Sequence, residues 1–272
     1  MDETGTEGEG SLRALKTPEG QLLDHPDTLA KAREQLPGGV TGTGKQYDSA
    51  AVAGKILDLV MGETAEPEGI HVETVLTALG ALAGFAAQMG IREDFIKSGK
   101  ISAEKAFNVV TTNDGGTYYF GDLLNEGLVA TRQGGLSVWS LVGGAAQHLG
   151  AKTLPDLKDL FAHVSRTVGG AEFGVPRLPP EHMPQQTPFE LLEKFWNPVR
   201  NLMATSVTSP SHWPLVLGYA AQLAVKRAKD LVEPGMTARV VMEAAVPMSK
   251  VDPQRVRGAY FQASIASASS AR

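Results

Sequence analysis

Cysteine is absent from this chain of 272 residues. Its absence excludes disulfide frameworks, thiolate nucleophiles and every zinc site that needs sulfur ligands. Aromatic residues are also scarce, at 6% of the chain, whereas there are 30 glycines, so small side chains must fill much of the core. Any chemistry must therefore rest on carboxylates, histidines, hydroxyl groups and the backbone.

Motifs for hydrolysis and for metal binding are missing as well. We find no serine in a nucleophile elbow, no pair of carboxylates backed by a histidine, and no helical His-x-x-x-His. The histidines are scattered one to a segment, at His25, His71, His148, His163, His182 and His212. We therefore expect no metal, no cofactor and no catalytic activity, although a site assembled from distant segments stays open.

The first ten residues are acidic and glycine-rich and do not have the basic start and apolar segment of a secretory signal, so we expect a cytoplasmic protein. The net charge of −5 is unevenly distributed. Residues 1–50 carry nine acidic and five basic side chains (−4), whereas residues from 225 onward carry eight basic and four acidic ones (+4). The basic residues are dispersed and lack interleaved aromatics, so no nucleic acid partner is expected.

Residues 1–47 have the low hydrophobicity and repeated glycines of a flexible tail. Within this tail, Gly39, Gly44 and Lys45 have the spacing of a phosphate-binding loop, in which amides cradle phosphates and the lysine reaches the terminal ones. However, Gln46 replaces the hydroxyl residue that holds magnesium, and no apolar strand precedes the loop. Nucleotide binding through these residues is thus the less favoured alternative.

Residues 48–250 show apolar positions at helical spacing and predict a mainly α fold, a single irregular domain of about seven helices. Pro198 should kink or split one helix, and the last helix should stop at Pro247. A second flexible tail is predicted over residues 251–272. The predicted helices cover residues 49–61, 70–89, 137–149, 154–168, 188–203, 212–232 and 238–245. Capping boxes at residues 153–156 and 187–190 are expected to open the fourth and fifth of them.

The second of these helices is apolar nearly all round, which is typical of either a buried central helix or a membrane span. Gly80 and Gly84 have the spacing that permits close helix packing in both settings. The stretch contains Thr74, Thr77 and Gln88, and it depends on alanine and glycine, which insert poorly into membranes. We therefore expect a core helix and no membrane span.

Residues 107–128 interrupt the helical pattern and hold the densest aromatic cluster. Two short alternating runs flank a turn at 113–116, which predicts one β-hairpin over residues 107–120. Asp122 fits as the N-cap of a short helix over 123–126. The residues that we predict to bind a ligand or partner are Asp114, Tyr118, Tyr119, Asp122, Asn125 and His148.

Two classes of function follow from these observations. The favoured one is a binding or homo-oligomeric assembly module without catalysis, whose partner is itself or another protein, because glycine- and alanine-rich helices and apolar residues such as Phe195 and Trp213 suit self-association. The alternative is an enzyme whose site lies near the hairpin, where Asp114 or Asp122 would meet His148.

Overall fold

The computed structural model describes residues 49–113, 115–130, 135–207 and 209–259, and this part of the chain is mainly helical, as predicted. A π-helical turn, Arg92–Ile96, continues the second helix. Within the described ranges there are nine α-helices: α1 Ser49–Glu63, α2 Val72–Ile91, α3 Ala103–Ala106, α4 Asp122–Val129, α5 Val138–His148, α6 Leu157–Thr167, α7 Pro188–Ser206, α8 Trp213–Arg227 and α9 Pro234–Met248.

Two small antiparallel sheets accompany the helices. Strands β1 (Ala65–Glu66) and β2 (Gly69–Ile70) form a hairpin that was not predicted. Strands β3 (Asn108–Thr111) and β4 (Thr117–Phe120) form the predicted hairpin, with Val109 opposite Tyr119.

Helix α2 lies at the centre of the fold, and every residue from Glu73 to Ile91 is buried. It packs against α7, α8 and α9. A side chain at Gly80 would collide with the carbonyl oxygen of Val241 in α9, and one at Gly84 with that of Ala245. The backbones of α2 and α9 therefore touch, which confirms the predicted close packing.

One helical stretch among the described residues, Val72–Ile96, is long and apolar enough by length and composition to cross a membrane. Its most apolar window has a mean hydropathy of 1.5 and is completely buried inside the protein. Other helices cover this window, as expected for a core helix.

The capping box predicted at 187–190 is confirmed, whereas the one predicted at 153–156 is wrong, because Asp156 and not Thr153 is the N-cap of α6. Asp156 accepts a hydrogen bond from the amide of Asp159 at the start of α6. At the start of α7, Thr187 and Glu190 form a complete capping box. These side chains satisfy amides that have no partner within the helix, and so define where α6 and α7 begin.

Helix α4 differs from its prediction. Its N-cap is Gly121, whose φ of 155° and close contact with the carbonyl of Ala106 suit only glycine. Asp122 is therefore the first residue of the helix, with no capping hydrogen bond, and Gly127 lies within the helix and does not end it.

The two prolines also behave differently from expectation. Helix α7 runs unbroken through Pro198, so the predicted split is wrong. Helix α9 starts at Pro234 and continues past Pro247 to Met248. Beyond it, residues 251–259, placed in the predicted tail, pack on the body: Val251, Val256 and Ala259 are buried.

Candidate recognition site at the β-hairpin

The segment that follows α9 fixes the hairpin of β3 and β4 to the helical body. β4 pairs with β3 on one side, and on its other side Tyr118 forms a β-bridge with Val251. The amide of Tyr119 donates a hydrogen bond of 2.9 Å to the carbonyl of Lys250. β4 is therefore the middle one of three extended segments, and β3 is the outer one.

This anchoring segment is itself attached to the central helix. The buried Gln88 side chain donates hydrogen bonds to the carbonyls of Ser249 (2.8 Å) and Val251 (3.1 Å). Its Oε1 accepts a hydrogen bond of 3.1 Å from Arg92, whose guanidinium carbon lies 4.2 Å from the centroid of the Tyr119 ring. A continuous set of polar contacts thus holds the hairpin in place from α2.

The three aromatic residues of β4 alternate between the two faces of the strand, as the pleat requires. Tyr118 is buried, and its ring centroid lies 4.8 Å from that of Phe173. Tyr119 faces the other way, where its ring meets Arg92 and lies 5.5 Å from Phe107. Both faces of β4 are therefore packed against protein.

The outer strand β3 is exposed at all four residues, and Val109 and Val110 are 54% and 40% exposed. In an antiparallel ladder, pairs that bond each other alternate with pairs whose backbone groups point apart. The amide of Tyr119 points away from β3, because it donates to Lys250. The pair of Val109 and Tyr119 is therefore one whose backbone groups point apart, and so is the pair of Thr111 and Thr117. The N–H and C=O groups of Val109 and Thr111 therefore point away from β4, and they have no backbone partner in the part of the chain that the structure describes.

The side chain of Lys250 lies beneath the hairpin and is only 1% exposed. Its Nζ donates a hydrogen bond of 2.8 Å to Oδ1 of Asn125 and lies 5.4 Å and 5.5 Å from the ring centroids of Phe120 and Phe161. Burial away from water lowers the pKa of Lys250 from 10.5 to about 7. Near neutral pH a large share of this amine is therefore unprotonated, which is its nucleophilic form.

The structure brings only some of the predicted site residues together. Asn125 contacts Lys250, while Tyr118 and Tyr119 hold the hairpin on the body. Asp122 at the start of α4 and His148 at the end of α5 are both exposed. Asp114 and the glycine-rich loop with Gly39, Gly44 and Lys45 lie outside the described residues.

Lys250 was not among the predicted site residues. One signal in the sequence points to it: the lysine lies two residues after the end of the apolar helix α9, whose last seven residues are all buried. The side chain of a lysine at this position either extends into solvent or is buried with the helix. The choice depends on Asn125 and Phe161, which lie far away in the sequence.

Two of the scattered histidines meet at one carboxylate. Glu73, which is buried, accepts a hydrogen bond of 2.8 Å from Nδ1 of His182 and lies 3.8 Å from Nδ1 of His71. Beside them, the hydroxyl of Thr74 accepts a hydrogen bond of 3.0 Å from the amide of Gln185. These contacts attach the proline-rich segment to the start of α2. No group of three or more potential metal ligands occurs among the described residues.

A second cluster contains the residue types of a hydrolase triad but not its geometry. Asp94 accepts hydrogen bonds from the hydroxyl of Ser209 and, at 2.7 Å, from the amide of Ser211. Nδ1 of His212 is buried and has no hydrogen-bond partner in the described ranges. In a triad the aspartate binds this histidine nitrogen, so we interpret the cluster as a link between the end of α2 and the start of α8.

Comparison of the chain with protein-family models, with curated proteins and with solved structures finds no match, so its function has to be argued from its own geometry.

Proposed function

We propose that this protein is a recognition module that assembles with a second copy of itself through the free edge of β3. The observation that carries the proposal is an exposed apolar edge strand that is not covered by any other segment among the described residues. Natural sheets blunt such edges with lysine, proline, a bulge or a covering element. The sequence of β3 is Asn-Val-Val-Thr, with no charge and no proline, and all four residues are exposed.

The outward backbone groups define how two copies would pair. Val109 of one copy would lie opposite Thr111 of the other, and the two Val110 residues would face each other on a two-fold axis. Each Val109–Thr111 pair exchanges two hydrogen bonds, so two equivalent pairs form. The two hairpins would then make one four-stranded antiparallel sheet.

The expected affinity is modest. Backbone hydrogen bonds contribute about 1 kcal/mol each, whereas association costs roughly 4–15 kcal/mol in lost freedom of motion. Burial of Val109 and Val110 must supply the difference. We therefore expect a dimer whose population rises with protein concentration.

The variant Val109→Pro tests this arrangement. Proline removes the outward amide of residue 109 but none of the hydrogen bonds between β3 and β4, and it suits an edge strand. Val109→Thr is the matched control, because it keeps the amide and the β-branched shape. Sedimentation velocity over a range of concentrations should show dimers for the wild type and the control, and monomers for Val109→Pro.

Circular dichroism should show that Val109→Pro keeps its helical content and melting temperature to within a few degrees. The proposal fails if the wild type is monomeric at every concentration, or if Val109→Pro dimerises as the wild type does.

Catalysis near the hairpin is the second candidate function, and the amine of Lys250 favours it. An unprotonated amine can add to a small aldehyde or ketone, lose water and form an imine. Incubation with a small aldehyde followed by borohydride would fix such an imine as a secondary amine, and peptide mass spectrometry would locate it. Modification of exposed lysines alone, with Lys250 unmodified, would remove this candidate.

A further inference from the structure

A cavity of about 280 Å³ lies away from the hairpin, between three segments of the chain. One wall is the start of α6 with the loop before it, and another is the first half of α9. The third wall is Arg177 from the proline-rich segment. A volume near the lower end of the range for ligand sites suits a small metabolite.

The walls of this cavity are held in place by the protein itself. The carboxylate of Glu233 caps α9 by accepting the amide of Met236 at 2.9 Å, and it accepts the amide of Lys152 at 2.9 Å as well. Gly235 permits the carbonyl of Thr153 to approach where a side chain would otherwise be. The site therefore needs little ordering when a ligand binds.

Two arginines form the positive part of the lining. Arg177 donates a hydrogen bond of 2.7 Å to Asp159, and its other terminal nitrogen lies 3.3 Å from the buried carboxylate of Glu243. The hydrogen bond from Arg177 lowers the pKa of Asp159, which stays ionised. Arg239 donates a hydrogen bond to the carbonyl of Arg177, and its Nε lies 3.9 Å from Glu243.

Groups of both charges keep unused hydrogen-bonding capacity. Within the described residues, Nη1 of Arg239 has no acceptor, and one carboxylate oxygen of Asp156 and one of Asp159 have no donor. The free guanidinium arm suits a carboxylate. The free carboxylate oxygens suit an ammonium group.

We propose that this cavity binds a small zwitterion, a free α-amino acid or a dipeptide, with its carboxylate on Arg239 and its ammonium group on Asp156 and Asp159. A ligand with only one charge would leave half of these groups unpaired. The site is independent of the proposed assembly through β3.

Isothermal titration calorimetry of the full chain with glycylglycine tests the proposal. Acetate and methylammonium, which each carry one half of the charge pattern, serve as controls at equal ionic strength. We expect one dipeptide bound per chain at millimolar concentration, and no measurable heat from either control ion.

Two variants address the two ends of the ligand. Arg239→Gln removes the carboxylate partner, and Asp156→Asn removes the charge but keeps the oxygen that caps α6. Each should weaken binding at least about tenfold. Arg227→Gln, at an exposed arginine in α8 that pairs with Asp58, should bind like the wild type.

Absence of heat with glycylglycine, equal heat from acetate or methylammonium, or unchanged binding by Asp156→Asn would overturn the proposal. Should Arg239→Gln fail to fold, Asp156→Asn decides alone, because its capping oxygen is retained.

Discussion

Replacing Lys250 with methionine measures what the buried amine costs the fold. Methionine has a similar length and no charge. Burial lowers the pKa of Lys250 from 10.5 to about 7. The difference between the two values, about 3.5, corresponds to about 5 kcal/mol at 1.36 kcal/mol for each unit of pKa.

The direction in which stability changes with pH follows from which state, folded or unfolded, binds more protons. Between pH 7 and pH 10.5 the unfolded chain holds a proton that the folded chain has lost, so the free energy of unfolding rises with pH. The full loss of stability from burying this amine applies near and below pH 7. This loss is absent above pH 10.5. From pH 7 to pH 9 the wild type should therefore gain about 2 kcal/mol relative to Lys250→Met.

At neutral pH we expect Lys250→Met to be more stable than the wild type. The gain is smaller than about 5 kcal/mol, because Oδ1 of Asn125 loses its donor, which costs about 1–3 kcal/mol. Urea unfolding from about pH 6 to about pH 9 measures both quantities. Lys55→Met, at an exposed lysine in α1, is the matched control and should follow the wild type at each pH. Parallel pH curves for the wild type and Lys250→Met would refute the reasoning.

Two further substitutions test the central helix. Gly84→Ala places a methyl group on a carbonyl oxygen of α9 and should destabilise the fold by about 1–3 kcal/mol. Its control, Gly54→Ala, lies in open space in α1 and should stabilise the fold by up to about 1 kcal/mol. Urea unfolding measures both changes, and equal effects of the two substitutions would contradict the close packing of α2 and α9. Glu73→Gln removes the charge that accepts from His182, so it should cost about 1–3 kcal/mol and speed proteolysis between α6 and α7, unlike Glu63→Gln at an exposed position.

The helices could be predicted wherever the signal was local. Thr187 and Glu190 lie three residues apart and satisfy each other's backbone, so their sequence alone defines the start of α7. The pair Gly80 and Gly84 likewise indicated a close contact. What the pair could not indicate is the partner, α9, which lies about 160 residues further along the chain.

Local rules failed where tertiary contacts decided. Asp122 has the side chain of a good cap. However, the backbone at Gly121 has a positive φ and lies close to the carbonyl of Ala106, so Gly121, one residue earlier, is the N-cap. Pro247 lacks an amide but lies in the last turn of a buried helix, where packing outweighs the single lost hydrogen bond.

The candidate site was predictable in part. Asn125 and the tyrosines, predicted to bind a ligand or partner, lie where the hairpin is attached to the body, and their binding role stays a prediction. Lys250 could not be predicted, since its burial depends on side chains from α4 and α6. The edge of β3 followed from register and pairing, which only the fold defines.

The burial of α2 has a consequence for biosynthesis. This apolar helix leaves the ribosome before α9, the helix that touches it most closely, which is complete only after Met248 has been added. At about 5–20 residues per second this interval lasts roughly 10–30 s. During that time this apolar helix of the nascent chain has no native partner on one side. The yield of folded protein in cells should therefore depend on chaperones that bind exposed apolar helices.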